Sequence, residues 1–237
     1  MMTRPNPKVD VYLEIGQKKV IAGAVEWPGW CRIARSEDEA LQALLDYGPR
    51  YAAAIKSSGA AFQAPAHLSD LHVVERLEGS PTSDFGVPVG IPAADERPFT
   101  PADLPRAELM MQACWQAFET AVQAATGKTL TKGPRGGGRE LDNIVEHVLG
   151  AQNGYLSRLA WKKPKQIEPA SEWAAQIRQA ELAALVAATR GEIPEQGPRG
   201  GKIWPARYFV RRSAWHILDH AWEIEDRAHI AGPDQPA

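Results

Sequence analysis

Cysteine is scarce. The 237 residues hold two, Cys31 and Cys114, far apart and with no Cys-x-x-Cys. That argues against a disulfide framework and against a thiolate zinc site, and it predicts two semi-buried thiols. Long apolar runs are also missing. No stretch reaches the roughly 18 apolar residues of a membrane span. Met1-Met2-Thr3-Arg4-Pro5 leads straight into polar residues, without the apolar segment of a signal peptide. The expectation is a cytoplasmic chain that does not engage a membrane. An excess of one charge is missing too: 27 Lys and Arg stand against 29 Asp and Glu, for a net charge of −2. A nucleic-acid surface needs a basic excess or a concentrated basic stripe, so no nucleic-acid partner is expected.

The composition that remains is 44% hydrophobic and 24% charged, an ordinary globular balance that excludes collagen-like, coiled-coil and wholly disordered chains. The length allows one large domain or two small ones.

Proline marks a boundary. Six of the nineteen prolines fall between Pro81 and Pro105. Each interior proline removes a backbone donor and clashes with the preceding turn, so this stretch cannot be one helix. It predicts a linker or an extended surface-hugging segment over 81–101. Residues 1–80 before it read as a small α+β unit, and residues 102–237 as a four-helix bundle.

In the first unit, Val9, Val11, Leu13 and Ile15 alternate as one side of a strand. Gly16 to Lys19 forms a turn, a second strand follows from Val20 to Val25, and a third from Trp30 to Ala34. Ser36 with Glu39 three residues on predicts a capped helix that runs to about Ile55. Leu71 to Leu77 is a further strand. In the second unit the helices run from about Ala102 to Thr126, Arg139 to Leu159, Ser171 to Arg190 and Pro205 to His229. Gly127 and Gly191 supply stops, and Pro205 a first-turn residue. Gly133-Pro134-Arg135-Gly136-Gly137 recurs as Gly197-Pro198-Arg199-Gly200-Gly201, each copy before a helix that carries histidine. The two are either flexible turns or, with Arg139, Lys202 and Arg207, anion sites at helix starts.

Chemistry concentrates on the histidines. His216 and His220 stand four apart, which places both imidazoles on one helix face. Arg212, Ser213, Asp219 and Glu223 share that polar face, while Trp215, Leu218 and Trp222 lie on the opposite, packing face. His147 sits mid-helix beside Gly150, Ala151 and Gly154. Interior glycine costs a helix about 1 kcal/mol, so space is wanted there or a second helix packs closely. Three histidines without a fourth protein ligand would make an open site for a first-row divalent metal such as zinc or nickel. Asp219 and Glu223 are candidates to orient the imidazoles, and Glu223 is alternatively a fourth ligand. His67 and His72 lie in the other unit and His229 falls on the wrong side of its helix; none is expected to join.

Val145-Glu146-His147-Val148-Leu149-Gly150-Ala151-Gln152 and His216-Ile217-Leu218-Asp219-His220-Ala221-Trp222-Glu223 together resemble the DinB/YfiT-like superfamily of metalloenzymes over residues 102–230. The resemblance implies an up-down-down-up four-helix bundle. It also implies one metal ion on His147, His216 and His220, and a thiol-dependent S-transferase, isomerase or hydrolase acting on a small molecule. A low-molecular-weight thiol would be the co-substrate, with Arg212 or Arg139 on its carboxylate. Val25-Glu26-Trp27-Pro28-Gly29-Trp30-Cys31, followed by Ser36-Glu37-Asp38-Glu39-Ala40-Leu41, resembles the Pro-Gly-Cys segment and capped helix of HicB-like domains. Trp30 between Gly29 and Cys31 departs from that pattern. This second resemblance implies a structural module for packing or for a homodimer.

Two readings follow. One is a metal-dependent transferase or hydrolase. The other is a non-catalytic binding protein that uses the bundle as scaffold and the HicB-like unit, with Trp27, Trp30 and Tyr47, for partner contact.

Overall fold

The computed structural model describes residues 8–132, 138–197 and 200–229. Among them are one four-stranded sheet and eight α-helices, the four long ones all after residue 103.

The sheet comprises β1 (Val9–Ile15), β2 (Val20–Ala24), β3 (Cys31–Ala34) and β4 (Leu71–Glu78), in the order β3-β2-β1-β4. The first three form an antiparallel meander, and β4 returns parallel to β1. β1 is thus central, and both of its faces are covered. Val11 and Leu13 face a core shared with Ala40, Leu44, Trp30 and Tyr51. Tyr12 and Glu14, on the other face, are as deeply buried as they are. Alternation along a strand therefore did not separate inside from outside here.

The helix expected from Ser36 to Ile55 is two. α1 (Glu37–Asp46) ends at Tyr47, and α2 (Gly48–Ala54) starts anew, because Pro49 has no N–H to continue the ladder. Ser36 Oγ accepts from Glu39 N, and the Glu39 carboxylate accepts from Arg35 N, one residue before the cap. Trp30 is not a contact residue for a partner. It is 1% exposed, donates to Leu44 O at 2.9 Å, and stacks on Tyr51. Trp27 packs edge-on against Phe62, and Tyr47 against Trp222.

The proline-rich stretch carries two single turns, α3 (Pro81–Asp84) and α4 (Ala93–Glu96), and is fastened to the rest by two buried carboxylates. Glu14 of β1 accepts from Ser83 Oγ, Val89 N and Gly90 N. Asp95 of α4 holds Arg211 in a two-pronged pair of 2.5 and 2.8 Å, while the same guanidinium donates to Ala24 O and Val25 O. Gly79 lets the chain enter this stretch: a Cβ there would sit 2.6 Å from Gly16 N.

The long helices are α5 (Leu104–Ala125), α6 (Leu141–Leu156), α7 (Ala170–Thr189) and α8 (Ala206–His229). α8 packs against α5 and α6, and Gly29 of the Pro-Gly turn packs against its Ala214 and Leu218. Gln152 meets Ser213, His147 meets His216 and His220, and Gly138 meets Arg227, so α6 and α8 are antiparallel. Within the helical layer, Glu181 of α7 is fully buried, accepts from Trp115 Nε1 at 3.0 Å, and leaves its other oxygen without a partner. Burial pushes this carboxyl up to about 8. In the unfolded chain the group ionises in the ordinary carboxylate range. It therefore favours unfolding progressively as pH rises through about 4.5 to 8. Glu181→Gln should raise the melting temperature at pH 8 and change it little at pH 4.5. Equal shifts at both pH values would contradict a neutral buried carboxyl.

Candidate metal centre

α6 delivers His147 and α8 delivers His216 and His220 to one point. One ligand nitrogen from each lies within 4.8 Å of the others. The His147 and His216 Nε2 atoms are 3.3 Å apart. Two nitrogens bound at about 2.0–2.1 Å in tetrahedral geometry stand about 3.3 Å apart, so this pair already has the spacing a zinc-like ion requires. At that distance the pair can also share one proton, which an ion would replace. The ring centroids of the three imidazoles are 4.7 to 5.2 Å apart, so small ring rotations bring in the third nitrogen.

The surroundings favour the neutral form of His216 and His147. His216 is 6% exposed and pushed down to about 2, first by burial and then by His220, Arg212 and His147. Burial, His220 and Arg139 lower His147. Neutral imidazole is the form that ligates a metal. Gln152, buried in α6, approaches His216 Nδ1 at 3.5 Å, which leaves Nε2 of that ring toward the cluster.

Glu223 orients His220. Its Oε2 meets His220 Nδ1 at 2.7 Å, and its Oε1 accepts from Arg227 Nη1 at 2.9 Å. The bond to His220 is the main reason this carboxylate is held below its usual range. Both oxygens are engaged, and the three ligand atoms that converge are all imidazole nitrogens. A carboxylate on the far nitrogen fixes the tautomer with Nε2 free and makes it more basic. Glu223→Gln should therefore weaken zinc affinity roughly 10–100-fold in competition with a chelating dye, without unfolding the chain. Affinity unchanged by the substitution would remove that role.

The other expected residues divide. Asp219 does not bond an imidazole; it faces Arg32 of β3 at 3.5 Å. Arg212 lies against His216, within its electrostatic reach. Arg139 stands exposed just before α6, near enough to His147 to lower it. Gly150 and Gly154 are not packing glycines, since a Cβ on either meets nothing within 4 Å, and the α6 surface beside His147 is open. His72 is exposed on Asp10 and His67 is exposed on a loop, both away from the cluster. The His229 side chain lies outside what is described. The anion sites expected at the two glycine-rich loops fall largely on residues 133–137 and 198–199, also outside it. Lys202 faces Glu96, and Arg207 pairs with Asp103.

Sequence reasoning missed the rings around the cluster. Tyr155 lies 5.8 Å from His216 and 5.2 Å from Trp204, which contacts Tyr208. The only local signal was the aromatic density of Trp204 to Phe209. No helix is long and apolar enough to cross a membrane among the described residues. No protein-family model, curated protein or solved structure matched the chain.

Proposed function

We propose that this chain is a metal-dependent enzyme of the DinB-like type, a transferase or hydrolase acting on a small molecule. The ion would be zinc or nickel, held by His147, His216 and His220. The observation that supports this is the convergence of three imidazoles from two antiparallel helices, one of them backed by a carboxylate on its far nitrogen.

Such an ion would polarise a bound group or lower the pKa of a bound water or thiol. A low-molecular-weight thiol as co-substrate fits that chemistry, because a thiolate forms readily on a divalent ion. The chain's own residues do the remaining work. Glu223 holds the His220 ring and its tautomer. Burial of His216 excludes a competing proton. Gly150 and Gly154 leave the α6 side open for a small molecule to reach the cluster.

Elemental analysis of purified protein tests the reading. One divalent ion per chain is expected, and none in the double variant His147→Ala/His216→Ala. Equal metal content in both proteins would remove the site.

A further inference from the structure

The sheet has a second apolar surface that the fold leaves partly open. α1 covers one face of β2 and β3. On the other face Ile21 and Ile33 stand directly opposite each other. With Cys31, Val87 and Trp215 of α8 they form a cluster separate from the main core. A cavity of about 200 Å³ lies against them. An apolar cavity of about 150 Å³ is enough for a benzene ring, so this one has room for a ring and a short arm.

Two further residues of the lining lack a partner. Phe85, at the end of α3, is 75% exposed, more than any other large hydrophobic residue among those described. Gly86 follows it at a φ of +99°, which turns the chain back over Ile33. The Lys19 ammonium lies beside the same glycine, 4.0 Å from where its Cβ would be, and forms no ion pair among the described residues. Asp84, in the same corner, is taken up by the backbone N–H groups of Lys18 and Lys19 at 2.8 and 3.2 Å. The other charges of the lining, Arg32 and Asp219, face each other at 3.5 Å, so one positive charge is left over. An apolar cleft with one placed charge is how a small amphipathic ligand is recognised. A neutral ring would leave the ammonium unused, and a bare anion would leave Phe85 in water.

We propose that this cavity binds a compact aromatic monocarboxylate, its ring against Ile33, Phe85 and Trp215 and its carboxylate on Lys19. The lining holds none of the three histidines, so the site stands independently of the metal reading.

Full-length protein is titrated calorimetrically with phenylacetate, acetate and benzyl alcohol. Phenylacetate should bind roughly tenfold more tightly than either the acid without the ring or the ring without the acid. Lys19→Gln should erase its margin over benzyl alcohol, and Lys19→Arg should restore part of it. Phe85→Ala should weaken phenylacetate roughly fivefold. Neither side chain belongs to the core, so each variant should melt with the wild type. Absence of phenylacetate binding, equal affinity for the three probes, or phenylacetate binding undiminished in Lys19→Gln and Phe85→Ala overturns the proposal.

Discussion

Asp95→Ala is expected to destabilise the protein by about 3–5 kcal/mol, because it strands the Arg211 guanidinium in the interior. Asp95 is 3% exposed and Arg211 6%. The pair does more than join two charges. It ties α4 to α8, and the same guanidinium caps the carbonyls of Ala24 and Val25 at the end of β2. Loss of the carboxylate releases the proline-rich stretch from the helix that carries two of the three histidines. For a chain of this size each kcal/mol moves the melting temperature by roughly 2–4 °C, so a drop of about 6–20 °C should appear in a thermal melt. Replacing both partners, Asp95→Leu with Arg211→Met, should recover much of the loss, since an apolar pair carries no desolvation penalty. A single variant that melts within a degree or two of wild type would show that the pair is not a fastening.

The second large effect concerns the metal. An ion that binds only the folded chain stabilises it by about 4 kcal/mol at a thousandfold excess over its dissociation constant. Zinc added to chelator-treated protein should therefore raise the melting temperature by roughly 8–16 °C at that excess. His216→Ala should abolish the rise, because it removes the most buried of the three ligands and the partner 3.3 Å from His147. His72→Ala, on an exposed residue paired with Asp10, should leave the rise intact. A rise of equal size in His216→Ala would place the ion elsewhere.

The four long helices were legible to within two or three residues at each end, because twenty-residue amphipathic segments bounded by glycine and proline carry strong periodic signals. The two histidines of α8 were legible from spacing alone. That His147 joins them required a guess about which helices touch, and the DinB-like resemblance supplied it. Shorter-range signals misled where tertiary context overrode them. Pro49 broke a helix whose apolar pattern ran on through it. The alternation of Val9, Val11, Leu13 and Ile15 marks one side of β1 but gives no sign that Glu14, on the other, is buried beneath Ser83, Val89 and Gly90. Asp219 and Glu223 share one helix face, and sequence could not say that Arg32 would draw one away while His220 held the other. The Asp95–Arg211 pair spans 116 positions and leaves no trace in any local window.

The most direct test is a crystal structure of the chain grown with zinc, with anomalous scattering used to place the ion. A single peak bonded at about 2.0–2.1 Å to a nitrogen of His147, His216 and His220, with Glu223 still on the far side of the His220 ring, is the predicted result. A peak bound elsewhere, or an imidazole of the three turned away from an occupied site, would contradict it.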